Sequence, residues 1–325
     1  MTHRLKKLGI KTVMVTGLVG GFIISPLTAN ASEDGIDTTV VNEKWGKPTF
    51  VYGGGLSDTE VEETEELIGI ENPENVVSVN VTGDELVKYL GAGSGNTSSL
   101  ISSVLVEKED DGHGVVVDIK TPENITQITQ EQYANAAITA GVADATIEVA
   151  SIRPATGESA LTGIYKAFDV NGEDLDQDRM EVAQDELETT NDIAQENADN
   201  GEFDPSKLDQ AIIEIKQSLA ELKEQQGELA TKEDIERIIN EALANNNLEN
   251  VVTQEQIDRL MSLFENYQQT AAIDSEAVKE QLNNLSEVVQ SKFGDFIDSA
   301  ESSGLFDKIG NFFKQVWEAI TGLFN

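Results

Sequence analysis

The sequence predicts an α/β domain, a mixed sheet with packed helices, followed by an all-α and partly coiled-coil C-terminal region. Three observations predict it. Between residues 47 and 170, short β-branched runs alternate with helices opened by Ser or Thr caps. From Asn171 onward the strand pattern stops. From Leu208 apolar residues recur at heptad spacing.

The 325-residue chain opens on four cations, Arg4, Lys6, Lys7 and Lys11, with no acid among them. An apolar stretch over residues 12–24 follows, then Pro26 and the small-x-small triplet Ala29-Asn30-Ala31. This is the pattern of a cleaved export signal, with cleavage expected between Ala31 and Ser32. The stretch is short for a membrane anchor, which needs ~20 apolar residues. Removing residues 1–31 takes away four cations and no anion, so the formal charge of −38 becomes −42. The chain is therefore expected to be secreted and associated with the cell envelope, and a surface this acidic repels phosphate, which excludes a nucleic-acid partner. There is no cysteine, which removes thiolate chemistry. No cofactor or metal site is expected.

Residues 32–46 carry few apolar anchors and read as a flexible lead-in. The α/β domain over 47–170 begins with the strand Thr49-Phe50-Val51-Tyr52, ended by Gly53-Gly54-Gly55. Ser57 with Glu60 forms a capping box for the first helix. Residues 76–81 alternate as a strand, a short helix covers 84–90, and Gly91-Ala92-Gly93-Ser94-Gly95 reads as a mobile loop. Strands over 102–107 and 115–119 flank Asp110-Asp111-Gly112-His113-Gly114, a hairpin signal. Thr129 caps a helix that Gly141 ends, residues 145–152 form another strand, and a last helix enters through Gly157.

Residues 171–204 are rich in acids and amides and are expected to be an acidic linker or a solvated helix. The helical region over 205–303 contains the seam Leu208, Ile212, Ile215, Leu219, Leu222, Gln226 and Leu229, through which a homo-oligomer or an intramolecular hairpin would form. Thr231 caps a further helix, Thr253 with Gln256 another, and Val278, Leu282, Leu285, Val289, Phe293 and Phe296 mark a third.

Residues 304–325 form an amphipathic helix with Leu305, Phe306, Ile309, Phe312, Phe313, Val316, Trp317, Ile320, Leu323 and Phe324 on one face. Burying all of them would stabilise by roughly 15–30 kcal/mol at most, so something must cover them. The expected cover is a membrane surface, the chain's own helical bundle, or another copy.

No catalytic constellation stands out. Without the leader His113 is the one histidine, in an acidic glycine turn that reads as surface. Asp169, Asn171, Asp174, Asp176 and Asp178 miss the calcium-loop spacing, because Gly172 falls fourth rather than sixth. The segment 157–163 could bind an anion at its amides, but Ala160 and Gly163 read better as tight helix-on-sheet packing.

Several segments carry a resemblance: Tyr52-Gly53-Gly54-Gly55-Leu56-Ser57, Leu100-Ile101-Ser102-Ser103-Val104, Asn124-Ile125-Thr126, Tyr133-Ala134-Asn135-Ala136-Ala137-Ile138-Thr139-Ala140-Gly141-Val142 and Ala160-Leu161-Thr162-Gly163-Ile164-Tyr165-Lys166-Ala167-Phe168. With these the chain resembles the exported Gram-positive family catalogued as domain of unknown function 1002, the YpuA-like proteins. The family has no established activity, so the resemblance implies export and an envelope setting rather than a reaction.

The sequence leans away from an enzyme. It favours a secreted interaction module whose terminal helix docks to membrane or partner. The alternatives are an extracellular carboxylate-based hydrolase acting on envelope glycan and a self-assembling surface protein. A cleft with convergent acids and raised carboxyl pKa values would favour the hydrolase.

Overall fold

The computed structural model describes residues 36, 38, 44–91, 93 and 95–297. A five-stranded sheet is formed by β1 (Thr49–Gly53), β2 (Val77–Val81), β3 (Ser102–Lys108), β4 (Val115–Ile119) and β5 (Ala145–Ser151), in the order β2-β1-β3-β5-β4. β1 pairs parallel with β2 and β4 parallel with β5, while β3 runs antiparallel to both β1 and β5. The mixed sheet is thus two parallel pairs joined through one reversed central strand.

One expectation is corrected here. β3 and β4 do not form a hairpin, because β5 lies between them, with Val104 opposite Val149 and Val117 beside Ile147. The glycine turn reverses the chain but closes on Asp144 instead, whose Oδ1 accepts from the backbone of Gly112 and Gly114, each at 3.0 Å. β5 is buried along nearly its whole length, and it takes the place beside β3 that the turn signal suggested for β4.

The helices form where their caps lie. Ser57, Thr82, Thr129, Thr231 and Thr253 all form capping boxes, opening α1 (Asp58–Leu67), α2 (Gly83–Leu90), α3 (Gln130–Ala140), α7 (Lys232–Asn245) and α8 (Gln254–Tyr267). The others are α4 (Ser159–Val170), α5 (Gln177–Glu196), α6 (Pro205–Gln226) and α9 (Glu276–Ile297). α1 and the turn after it cover one sheet face, where Phe50, Leu105 and Ala150 meet Ile68, Ile70 and Val76. On the opposite face Val51, Val104 and Val149 meet α3, α4 and the helices beyond them in one continuous core. Gly163 permits this approach, since a Cβ there would lie 3.1 Å from Val104 Cγ2. This is the close packing that the sequence favoured for segment 157–163.

Most of the segment 171–204 is a helix, α5, rather than a linker, and it is not solvated all round. Met180, Ala183, Leu187 and Ile193 of α5 are buried against the core, with α3 as the main neighbour. The lead-in is also partly fixed: Ile36 and Thr38 are buried, and the Ile36 amide donates to Glu148 Oε1 at 3.0 Å.

α6 carries the expected heptad, but the seam does not serve a two-stranded coil. Leu208, Ile212, Ile215, Leu219 and Leu222 are buried within the chain, and so are Ala211, Ile213, Lys216 and Ala220 on its other sides. α3, α5, α7 and α9 surround it, so α6 is the central helix of a bundle. It ends at Gly227, whose left-handed φ of 73° stops the helix before Leu229.

Inside this bundle sits a buried ion pair. Lys216 Nζ lies 2.5 Å from Glu186 Oε1 and also donates to Asn135. The second oxygen of Glu186 accepts from Thr139 Oγ1 at 2.7 Å. The group ties α3 of the α/β half to α5 and α6. Among the described residues no helix is long and apolar enough to cross a membrane.

Candidate functional site

The side chains with most chemical promise line a cleft of about 450 Å³ between the α/β half and α5. Its first wall is α2 and the loop after it, with Leu86, Leu90, Gly93, Ser99 and Leu100. α2 is set by the reciprocal cap of Thr82 and Glu85, and Gly91, with φ 63°, ends it. The Gly83 amide donates to Thr97 Oγ1 at 2.9 Å, pinning the loop to the first turn of α2.

The second wall is the entry to α4, with Thr156, Glu158, Ser159 and Thr162. Gly157 holds φ 93°, and a Cβ there would come within 2.3 Å of the Tyr133 hydroxyl. That hydroxyl donates to the Gly157 carbonyl at 2.7 Å, so a buried tyrosine of α3 fixes the residue just before Glu158.

The third wall is α5. Glu181, Gln184, Asp185 and Glu188 stand at i, i+3, i+4 and i+7, which is one helical stripe, while Ala183, Leu187 and Thr190 anchor the buried side. Asp176 caps this helix by accepting from the Arg179 amide at 3.0 Å.

Among the described residues the lining carries four carboxylates and no lysine or arginine. Partial burial pushes the Glu158 carboxyl up, with Glu188 and Asp192 adding repulsion. Burial likewise raises Asp185, assisted by Glu188 and Glu186. Gln184 orients one of these acids, its amide donating to Glu188 Oε1 at 2.8 Å. Two lining atoms are buried without a protein partner: the Thr162 hydroxyl and the Gln184 carbonyl oxygen. Such a group costs about 1–3 kcal/mol when nothing satisfies it. The arrangement can hold a positively charged or hydrogen-donating ligand.

Segments noticed in the sequence meet here. The glycine loop over 91–95 contributes Gly93, and the α4 entry contributes Glu158, Ser159 and Thr162. The acids around that entry disfavour the anion that the helix amides alone would attract. The α5 stripe was missed, although its four positions share one face once residues 171–204 are read as an amphipathic helix.

The other candidates lie apart. His113 Nε2 is 3.3 Å from Thr146 Oγ1, which itself donates to Glu109. Asp169 accepts from the Tyr89 hydroxyl and Lys88, Asn171 donates to Thr49, and Asp176 is spent on its cap. Among the described residues no group of three or more acids or histidines is placed to hold a metal ion. The leader over 1–31 lies outside the described residues, as do Leu305, Phe306, Ile309, Phe312, Phe313, Val316, Trp317, Ile320, Leu323 and Phe324.

No solved structure matches the chain. An uncharacterized protein YpuA of Bacillus subtilis (strain 168) is 31% identical over 285 residues, covering 86% of this chain and 90% of that protein. The family model described as protein of unknown function (DUF1002) matches residues 52–285, which takes in every strand but the start of β1, the cleft and most of the helical bundle. The chain belongs to that family of unknown function.

Proposed function

We propose that this chain is an exported cell-envelope protein acting as a non-enzymatic binding module, with the acidic cleft as its binding site. The observation that carries the reading is the pair of buried, unpartnered polar atoms, Thr162 Oγ1 and Gln184 Oε1, in a cleft whose charged groups are all carboxylates. A cleft of that size matches small-ligand sites, which run about 300–1,000 Å³. The leader pattern supports export, and residues 304–325 would dock the module to the membrane or a partner.

The test is binding of the mature chain to isolated cell walls, followed by sedimentation. Thr162→Val with Gln184→Leu removes both orphaned groups with little change in volume. Loss of wall binding in that variant, with an unchanged circular dichroism spectrum, supports the reading, and full retention refutes it. Export is tested separately, by a native N-terminus at Ser32 in mass spectrometry.

A hydrolase acting on envelope glycan is a second reading, favoured by the raised carboxyls of Glu158 and Asp185. It requires new reducing ends from purified wall glycan, lost on Glu158→Gln. Wall binding without such release leaves the binding module.

A further inference from the structure

We infer that the cleft recognises a primary ammonium group carried on an aliphatic stem, an inference that rests on the cleft being the binding site. Charge gives the first argument. Glu158 on one wall and Glu181, Asp185 and Glu188 on the other face a space with no lining cation. The nearby basic side chains are engaged elsewhere: Lys88 with Asp169, Lys166 with Glu85, and Arg153 with Glu60. An anion is repelled, and a neutral ligand leaves the repulsion among these acids in place.

Geometry then separates the kinds of cation. The acids are spread over two walls and do not converge on one point, so they do not make the cage that a divalent ion needs. They match a cation whose charge sits at the end of a longer body. Leu86, Leu90 and Leu100 supply the apolar surface along which methylene groups would lie. Among the described residues no aromatic ring lines the cleft, so they offer neither the stacking platform usual for sugars nor the cage that favours quaternary ammonium.

Hydrogen bonding completes the match. A primary ammonium has three donors and no acceptor. The cleft's orphaned Gln184 Oε1 is an acceptor, and the Thr162 hydroxyl accepts through its lone pairs.

The chemistry has two sources, a free diamine or a lysine side chain in a peptide, and the experiment separates them. Isothermal titration of the mature chain uses 1,5-diaminopentane, Nα-acetyl-lysine amide, chitotriose and calcium chloride, at about 150 mM salt to screen diffuse attraction. At least one amine binds, and Asp185→Asn with Glu188→Gln weakens it by about tenfold or more, equal to about 1.4 kcal/mol. Glu62→Gln with Glu63→Gln removes the same charge from the exposed face of α1, beyond the sheet, and changes binding less than about twofold. Tighter binding of the diamine assigns a free polyamine, and of the lysine amide a peptide.

Equal loss in both double variants would overturn the inference, because the attraction would then be diffuse. Binding of chitotriose or calcium but neither amine would overturn the ligand class while leaving the cleft a binding site. Absence of amine binding, together with wall binding that survives Thr162→Val and Gln184→Leu, would overturn the cleft reading itself.

Discussion

Replacing Lys216 by Met removes the cation from a pair that has no route to water: Lys216 is 0% and Glu186 2% exposed. Burial lowers the Lys216 pKa, and the adjoining Glu186 carboxylate opposes that shift. Met fills most of the space, and the loss is therefore mainly electrostatic. Glu186 would keep its bond from Thr139 but lose the charge that balances it. Breaking one side of a fully buried pair costs about 3–5 kcal/mol. With a urea m-value of about 3 kcal/mol per M, the unfolding midpoint would fall by about 1–1.7 M. The assay is urea unfolding of the chain from Ser32 onward followed by circular dichroism, with the m-value checked for constancy. Lys216→Met with Glu186→Leu removes both charges, and most of the lost stability should return. A single-variant loss below about 1 kcal/mol, or a double variant no more stable than the single one, would refute the argument that the pair's energy lies in mutual neutralisation.

The acid balance sets the pH of maximum stability. Burial raises Glu148, Glu158 and Glu214 above the ordinary 4.5, so each stabilises the fold below that value and loses the contribution as pH rises through its folded pKa. The Ser57 amide holds Glu60 below 4.5 and Arg259 holds Glu196 below it, and these contributions disappear as pH falls through the folded values. Stability should therefore peak a little above 4.5 and decline toward neutrality. A melting temperature that rises steadily from about pH 5 to pH 8 would contradict this. Gly163→Val, at a site where even a Cβ would be 3.1 Å from Val104, should cost about 1–3 kcal/mol by thermal unfolding. Thr129→Ala removes both the α3 cap and the bond from Thr129 to Asp209 Oδ2, and should cost about 1–2 kcal/mol in the same measurement. Phe312→Asp with Trp317→Asp should abolish sedimentation with liposomes while leaving the thermal transition of the core in place. Undiminished liposome binding would remove the lipid reading of residues 304–325.

Family membership, the five strands, most of the helices and the helix starts at Ser57, Thr129, Thr231 and Thr253 were legible in the chain, because the signals are short-range. A threonine hydroxyl reaching an amide three residues on makes a cap wherever the helix later packs, and all five strands announced themselves by β-branched runs. What tertiary structure decided was which faces meet. The turn at residues 110–114 suggested pairing of β3 with β4, but pairing is settled by competition among all strands, and β5, from further along the chain, took the place between them. The heptad of α6 reported one buried stripe and could not report that the opposite side is buried too, around Lys216. The acids of α5 looked solvated because their stripe is polar, yet they become a cleft wall only when α2 and the α4 entry are brought beside them. Local hydrogen bonds and periodicity are written within a few residues, whereas burial, neutralised charge and a concave site depend on groups distant in the chain, and only the packed fold brings these together.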